Sequence, residues 1–169
     1  MGFSDPTPAP WSLRWEEAMT TVGELCNRRV VTIGKTDTVL EAARRMRAHH
    51  VGSLVIVDES AGRTVPTGII TDRDIVVGVV AVASSYLESL HVADVAIEPL
   101  VTAREQESLL DTLGRMSAEG IRRVPVVNDE GGLQGIIAFD DLLEFLSGEL
   151  SELSALLARQ QRREAQKRI

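Results

Sequence analysis

TVLEAARRMRAHHVGSLVIVD, residues 38–58, falls on SLLDTLGRMSAEGIRRVPVVN, residues 108–128, when the chain is slid along itself by seventy positions. Arg45 meets Arg115, Met46 meets Met116 and Ala48 meets Ala118. The same offset brings Val31 and Thr32 onto Val101 and Thr102. Past a loop three residues shorter in the second copy, GIITDRDI (68–75) meets GIIAFDDL (135–142). Self-similarity at a fixed period marks a repeated structural unit, and a unit of roughly 60 residues is small to bury its own core. Two stacked copies forming one domain follow from that.

Each copy parses into the same elements. Thr38 with Glu41, and Ser108 with Asp111, have capping-box spacing, in which a side-chain oxygen satisfies a free amide of the first helical turn. Behind the caps, Val39, Ala42, Ala43 and Met46 recur at helical spacing, as do Leu109, Thr112, Leu113 and Met116. LVIVD (54–58) and VPVVN (124–128) are short β-branched runs ended by turn formers, and GII follows in both copies as a further strand. A second helix then starts, DIVVGVVAV in one copy and DLLEFL in the other, while VVTI or LVTA precedes the first helix as a strand. The order per repeat is strand, helix, strand, strand, helix, a mixed α/β (α+β) class. The chain divides into an N-terminal arm (1–18), a first repeat (19–85), a second repeat (86–147) and a C-terminal amphipathic helix with a basic tail (148–169).

Composition excludes several functions. With 169 residues, 44% hydrophobic and a mean hydropathy of +0.02, the chain reads as a globular domain. No apolar run approaches the roughly 20 residues that cross a bilayer, and the first residues lack the order of a secretion signal, so a cytoplasmic location without membrane contact is expected. The net charge of −7 argues against nucleic acid as a partner, because phosphate-backbone binding needs a concentrated basic surface. Cys26 is the single cysteine, and with His49, His50 and His91 it offers no metal-ligand spacing. No serine or cysteine stands in a hydrolase motif, so no catalytic residue is expected. His49 and His50 sit near a helix C-terminus, where imidazoles are favourably placed without any catalytic role.

The doubled unit, the paired arginines before VPVV and GIITDRD at the last strand-to-helix junction together resemble the tandem CBS (cystathionine-β-synthase) domain, often called a Bateman module. The resemblance runs from about Met19 to Ser147. It implies a pseudo-twofold pair of repeats with two clefts between them, commonly dimerising into a flat disc. It also implies a module that senses AMP, ADP, ATP, NAD, S-adenosylmethionine or a related adenosine-containing ligand and does not catalyse. No cofactor is required; an adenine nucleotide or S-adenosylmethionine acts as regulatory ligand, and a homodimer and an unidentified regulated protein are the implied partners.

GIITDRD has two readings. Thr71 and Asp74 have capping-box spacing ahead of an apolar run, so the motif serves at a helix start with no ligand at all. The same groups suit a ribose, since a carboxylate accepts hydrogen bonds from its two hydroxyls while a threonine hydroxyl donates or accepts beside it. The helix start favours a phosphate, and Arg73 adds a charge-assisted contact. In the CBS family the threonine and the last aspartate of this motif are the ribose contacts, which implies that role for Thr71 and Asp74. GIIAFDD keeps Asp141 but puts Ala138 for Thr71 and Asp140 for Arg73, so its cleft is expected to bind a charged nucleotide more weakly. Phe139 is expected to pack locally or stack on a base. Arg122 and Arg123 stand where CBS proteins often aim basic residues at phosphates; the plainer reading is two solvated arginines at a strand edge. Cleft walls are expected from Thr32, Ile33, Val51 and Leu54 in one copy and Thr102, Ala103, Ile121 and Val124 in the other, although core packing also suits the apolar ones.

Two features lie outside the repeats. Trp11 and Trp15 sit at helical spacing in a proline-containing arm and are expected to pack on the module or a dimer mate. Leu146, Leu150, Leu153 and Leu157 form a narrow coiled-coil-like seam, readable as a helix folded onto its own body or as a docking helix. Residues 159–169 carry five bases against one acid, a net +4 that leaves the rest of the chain at −11. Two other functions remain open at this level: a purely structural CBS dimer with vestigial sites, and a small nucleotide-hydrolysing enzyme.

Overall fold

The computed structural model describes residues 20–60, 62–96 and 100–167; the N-terminal arm with its two tryptophans lies outside these. A short helix α1 (Val22–Leu25) precedes β1 (Thr32–Gly34), α2 (Val39–His49), β2 (Ser53–Ser60) and β3 (Arg63–Thr71). The helix α3 follows, π-helical over Asp74–Val80 and α-helical over Ala81–Ala83. The second copy runs β4 (Ala103–Arg104), α4 (Leu109–Glu119), β5 (Arg123–Val127), β6 (Leu133–Ala138) and α5 (Phe139–Lys167). Each copy builds one three-stranded sheet, β1-β2-β3 or β4-β5-β6, with a parallel first pair and an antiparallel second. β3 and β6 approach each other, so the two sheets meet along their GII strands.

The expected caps form. Thr38 Oγ1 accepts from the Glu41 amide at 3.1 Å, and Ser108 Oγ accepts from the Asp111 amide at 3.4 Å. Glu41 turns its carboxylate to Arg45 at 3.0 Å instead of reaching back, because a guanidinium one turn away is the stronger partner. The paired arginines lace each helix to the turn before it: Arg45 donates to the Thr32 carbonyl at 3.0 Å and lies 3.3 Å from Asp37, while Arg115 pairs with Glu107. Both helices end on a left-handed residue, His50 at φ 55° and Gly120 at φ 65°.

The two cores exchange segments. Val22 and Cys26, at the start of the first repeat, are buried with Ala103, Met116, Val124 and Ile137 of the second. Val92, near the start of the second repeat, is buried with Ile33, Leu54 and Ile70 of the first. Backbone bonds fix the exchange: the Val22 amide donates to Glu107 and the Val92 amide to Asp37. A Cβ at Gly135 would stand 2.5 Å from Cys26 Sγ, so the glycine is what lets α1 settle on β6. Burial pushes the Cys26 thiol pKa up, consistent with a packing role for this side chain.

One element differs in kind from the sequence expectation. DLLEFL and the C-terminal amphipathic helix are a single helix, α5, with Ser147 and Gly148 inside it. No proline interrupts the stretch, and one glycine costs only about 1 kcal/mol, too little to end a helix that has good formers on both sides.

Candidate functional site

β3 ends at Thr71 and α3 starts at Asp74, so the turn between them carries three side chains into one place. The backbone alternates along β3: Ile70 points to the core and is fully buried, which leaves Ile69 and Thr71 on the opposite face. At the helix start the cap is reciprocal. Asp74 Oδ2 accepts from the Thr71 amide at 2.9 Å and from its hydroxyl at 2.7 Å, and the Asp74 amide lies 3.2 Å from Thr71 Oγ1. Asp74 Oδ2 thus holds the turn, while Oδ1 has no hydrogen bond among the described residues.

Opposite this turn stands the second repeat. Gly120, Ile121, Arg122 and Arg123, at the turn from α4 into β5, close a cleft of about 350 Å³ together with Ile69, Thr71, Asp72, Arg73, Asp74, Leu100 and Val101. That volume lies within the range of small-molecule sites. Its walls divide by chemistry: Ile69, Leu100, Val101 and Ile121 offer an apolar slot, Thr71 and Asp74 offer hydroxyl-binding groups, and Arg73, Arg122 and Arg123 offer three cations against the two acids. Gly120 adds a wall without a side chain. Such a set can hold a flat apolar ring, a vicinal diol and an anion in sequence.

Of the residues singled out from sequence, Thr71, Arg73, Asp74, Ile121, Arg122 and Arg123 come together here. The others do not join them. Ile33 and Leu54 are in the first core, at 1% and 0% exposure, with Val51 packed against it; Ala103 and Val124 are fully buried in the second. Thr32 lines a separate, more open groove with Arg29, Val30, Val31, Arg45 and His49. Thr102 is half-buried just before β4, and the cleft takes Leu100 and Val101 from that segment instead. Strand alternation from the buried Ile70 would have named Ile69; the linker carrying Leu100 and Val101 has no regular period and gave no such signal.

Asp141 repeats half of the cap: its Oδ2 accepts from the Ala138 amide at 2.8 Å, and no hydroxyl joins it. Phe139 is 37% exposed and stands where the first copy has Asp72; each donates its amide to the equivalent carbonyl within its own repeat, Phe139 to Arg122 at 2.9 Å and Asp72 to Gly52 at 3.0 Å. Asp140 lies 3.8 Å from Arg122 in an exposed pair. Among the described residues no group of three or more histidines, cysteines or acids could hold a metal ion, and no helix is long and apolar enough to cross a membrane.

Comparison with known proteins agrees with this architecture. The CBS domain family profile matches residues 22–80 and 92–148. An uncharacterized protein of Methanopyrus kandleri is 39% identical over 73% of this chain, a match that spans 61% of that protein. The CBS domain-containing protein YhcV of Bacillus subtilis is 33% identical over 73% of this chain and 84% of its own length. Among solved structures, the CBS domain pair of protein MJ0100, in complex with 5′-methylthioadenosine and S-adenosyl-L-methionine, is 26% identical with a TM-score of 0.64, covering 78% of this chain and 98% of that one. The chain belongs to the CBS-domain family, as a tandem pair of its repeats.

Proposed function

We propose that this CBS pair is a non-enzymatic sensor that binds one adenosine-containing ligand per chain, works as a homodimer and passes the bound state to a partner protein. The observation that carries the reading is the convergence of Thr71 and Asp74 from one repeat with Arg122 and Arg123 from the other on a single cleft of about 350 Å³. In this reading the free Oδ1 of Asp74 and the Thr71 hydroxyl take the ribose. The aliphatic slot takes the adenine, and Arg73, Arg122 and Arg123 take the phosphates or another charged substituent. The ligands of the MJ0100 pair share that adenosyl part, which supports the class without choosing a member of it. CBS-domain proteins are generally non-catalytic modules, and the cleft has no serine or cysteine that could serve as a nucleophile.

Isothermal titration of the purified chain with AMP, ATP, NAD and S-adenosylmethionine tests it. Heat with at least one ligand at a ratio near one per chain is the expected outcome. No heat and no melting shift with any of them at millimolar concentration would leave a purely structural pair as the better account.

A further inference from the structure

The helix that leaves the second repeat continues past the body it belongs to. Every residue of α5 from 147 to 157 is exposed, and Leu150, Leu153, Leu156 and Leu157 are 64%, 57%, 61% and 60% accessible. Leu143, Leu150 and Leu157 are spaced by sevens, as are Leu146 and Leu153, which makes one continuous seam of the coiled-coil type. A helix in water draws most of its stability from packing an apolar face, and none of the described residues covers this seam.

The charges around that seam say what fits. Residues 139–158 hold five acids and no base, whereas Arg159, Arg162, Arg163 and Lys167 follow with only Glu164 among them. Glu149 and Arg163 are two heptads apart at the same position flanking the seam, symmetrically about Leu156, and Glu152 and Arg159, one heptad apart, lie further out on the same side. None of the four forms an ion pair among the described residues. A second copy laid antiparallel and centred on Leu156 sets Glu149 opposite Arg163 at both ends, with Glu152 facing Gln160 one residue from Arg159. A parallel copy in register lays the acidic stretch 139–158 beside its own copy and the basic end beside its own. The antiparallel arrangement also leaves each body beyond the end of the other helix, because the exposed stretch that starts at 147 is centred close to the same leucine.

We propose that the free part of α5 is the docking surface for a second copy of this chain, held as an antiparallel helix pair about Leu156. The inference rests on the homodimer reading above and adds the surface and its polarity. Sedimentation equilibrium of the full chain over a dilution series tests it. Leu153→Asp with Leu157→Asp is expected to raise the dimer dissociation constant by at least about tenfold while leaving ligand titration unchanged. Glu149→Arg with Glu152→Arg is expected to weaken the dimer, and adding Arg159→Glu with Arg163→Glu to the same chain is expected to restore it. A wild-type monomer at all concentrations removes the homodimer reading itself. A dimer untouched by the leucine changes overturns the α5 surface alone, and a half-reversed chain that pairs as well as wild type overturns the antiparallel polarity.

Discussion

The GIITDRD and GIIAFDD junctions have the same backbone and different chemistry. In both, the final aspartate accepts the amide three residues earlier, at 2.9 Å for Asp74 and 2.8 Å for Asp141. Only the first adds a hydroxyl to that carboxylate, and only the first carries a cation, Arg73. The walls opposite diverge in the same sense. Against the first junction stand Gly120, Arg122 and Arg123; their repeat equivalents are His50, Gly52 and Ser53, which replace an open wall by a side chain and two guanidiniums by none. A duplicated fold therefore conserves what holds the helix start, whereas each polar group that would hold a ligand survives on one side. The difference separates scaffold from site without reference to any ligand.

The largest expected effect comes from removing the shared element on each side. Asp74→Ala deletes both the cap and the proposed ribose contact, so ligand affinity is expected to fall at least about tenfold by titration calorimetry. Asp141→Ala deletes a cap of the same geometry, and its expected cost is about 1 kcal/mol of stability with affinity within about twofold of wild type. Equal losses of affinity would erase the distinction between the clefts. Next in size is Arg122→Ala, expected to weaken phosphate-bearing ligands by roughly threefold to tenfold, less at high salt, and to leave 5′-methylthioadenosine unaffected. If both ligand types weakened together, Arg122 would be shaping the cleft instead of holding an anion.

A gain is the sharper test of the same contrast. Ala138→Thr with Asp140→Arg rebuilds the polar set of the first junction on the second, and it also releases Arg122 from the exposed pair with Asp140 at 3.8 Å. Exposed pairs of that kind contribute at most about 1 kcal/mol, so the expected stability change is small. The informative quantity is stoichiometry in the titration: a second, weaker site is expected, and a ratio still near one would mean that His50 and the missing arginines close that cleft by themselves.

The fold was legible because it was written twice. Caps at Thr38 and Ser108, the apolar faces behind them and the β-branched strands repeat in order, and all of them formed. The turn residues Thr71, Arg73 and Asp74 were legible for the same reason, since their types are unusual at a position the second copy defines. What the sequence did not carry were consequences of packing over long separations. The exchange of Val22 and Val92 between cores depends on backbone bonds to Glu107 and Asp37, far away in sequence. Ile33, Leu54 and Val124 were readable as cleft walls because an apolar wall and an apolar core have the same composition, and only burial distinguishes them. Leu100 and Val101 sit in irregular chain, where no period says which side chain turns inward.

The smallest expected effect concerns the helix ends. His50 holds φ 55° where its counterpart Gly120 holds φ 65°, so a residue with a Cβ occupies the left-handed region in one copy only. That conformation costs a non-glycine residue about 1–3 kcal/mol, and His50→Gly removes the cost. Glycine brings its own loss, about 0.5–1 kcal/mol, from the wider freedom of the unfolded chain. The strain is the larger of the two, so a net gain of about 0.5–1 kcal/mol is expected, a rise of about 1–4 °C in melting temperature for a chain of this size. Affinity for the first cleft should not move, because His50 belongs to the other repeat's turn. Should His50→Gly combined with Ala138→Thr and Asp140→Arg strengthen the second site, the imidazole is the side chain that fills it. A gain in stability with no gain in binding would assign His50 to the helix end alone, and leave the loss of Arg122 and Arg123 equivalents as the reason the second cleft is poor.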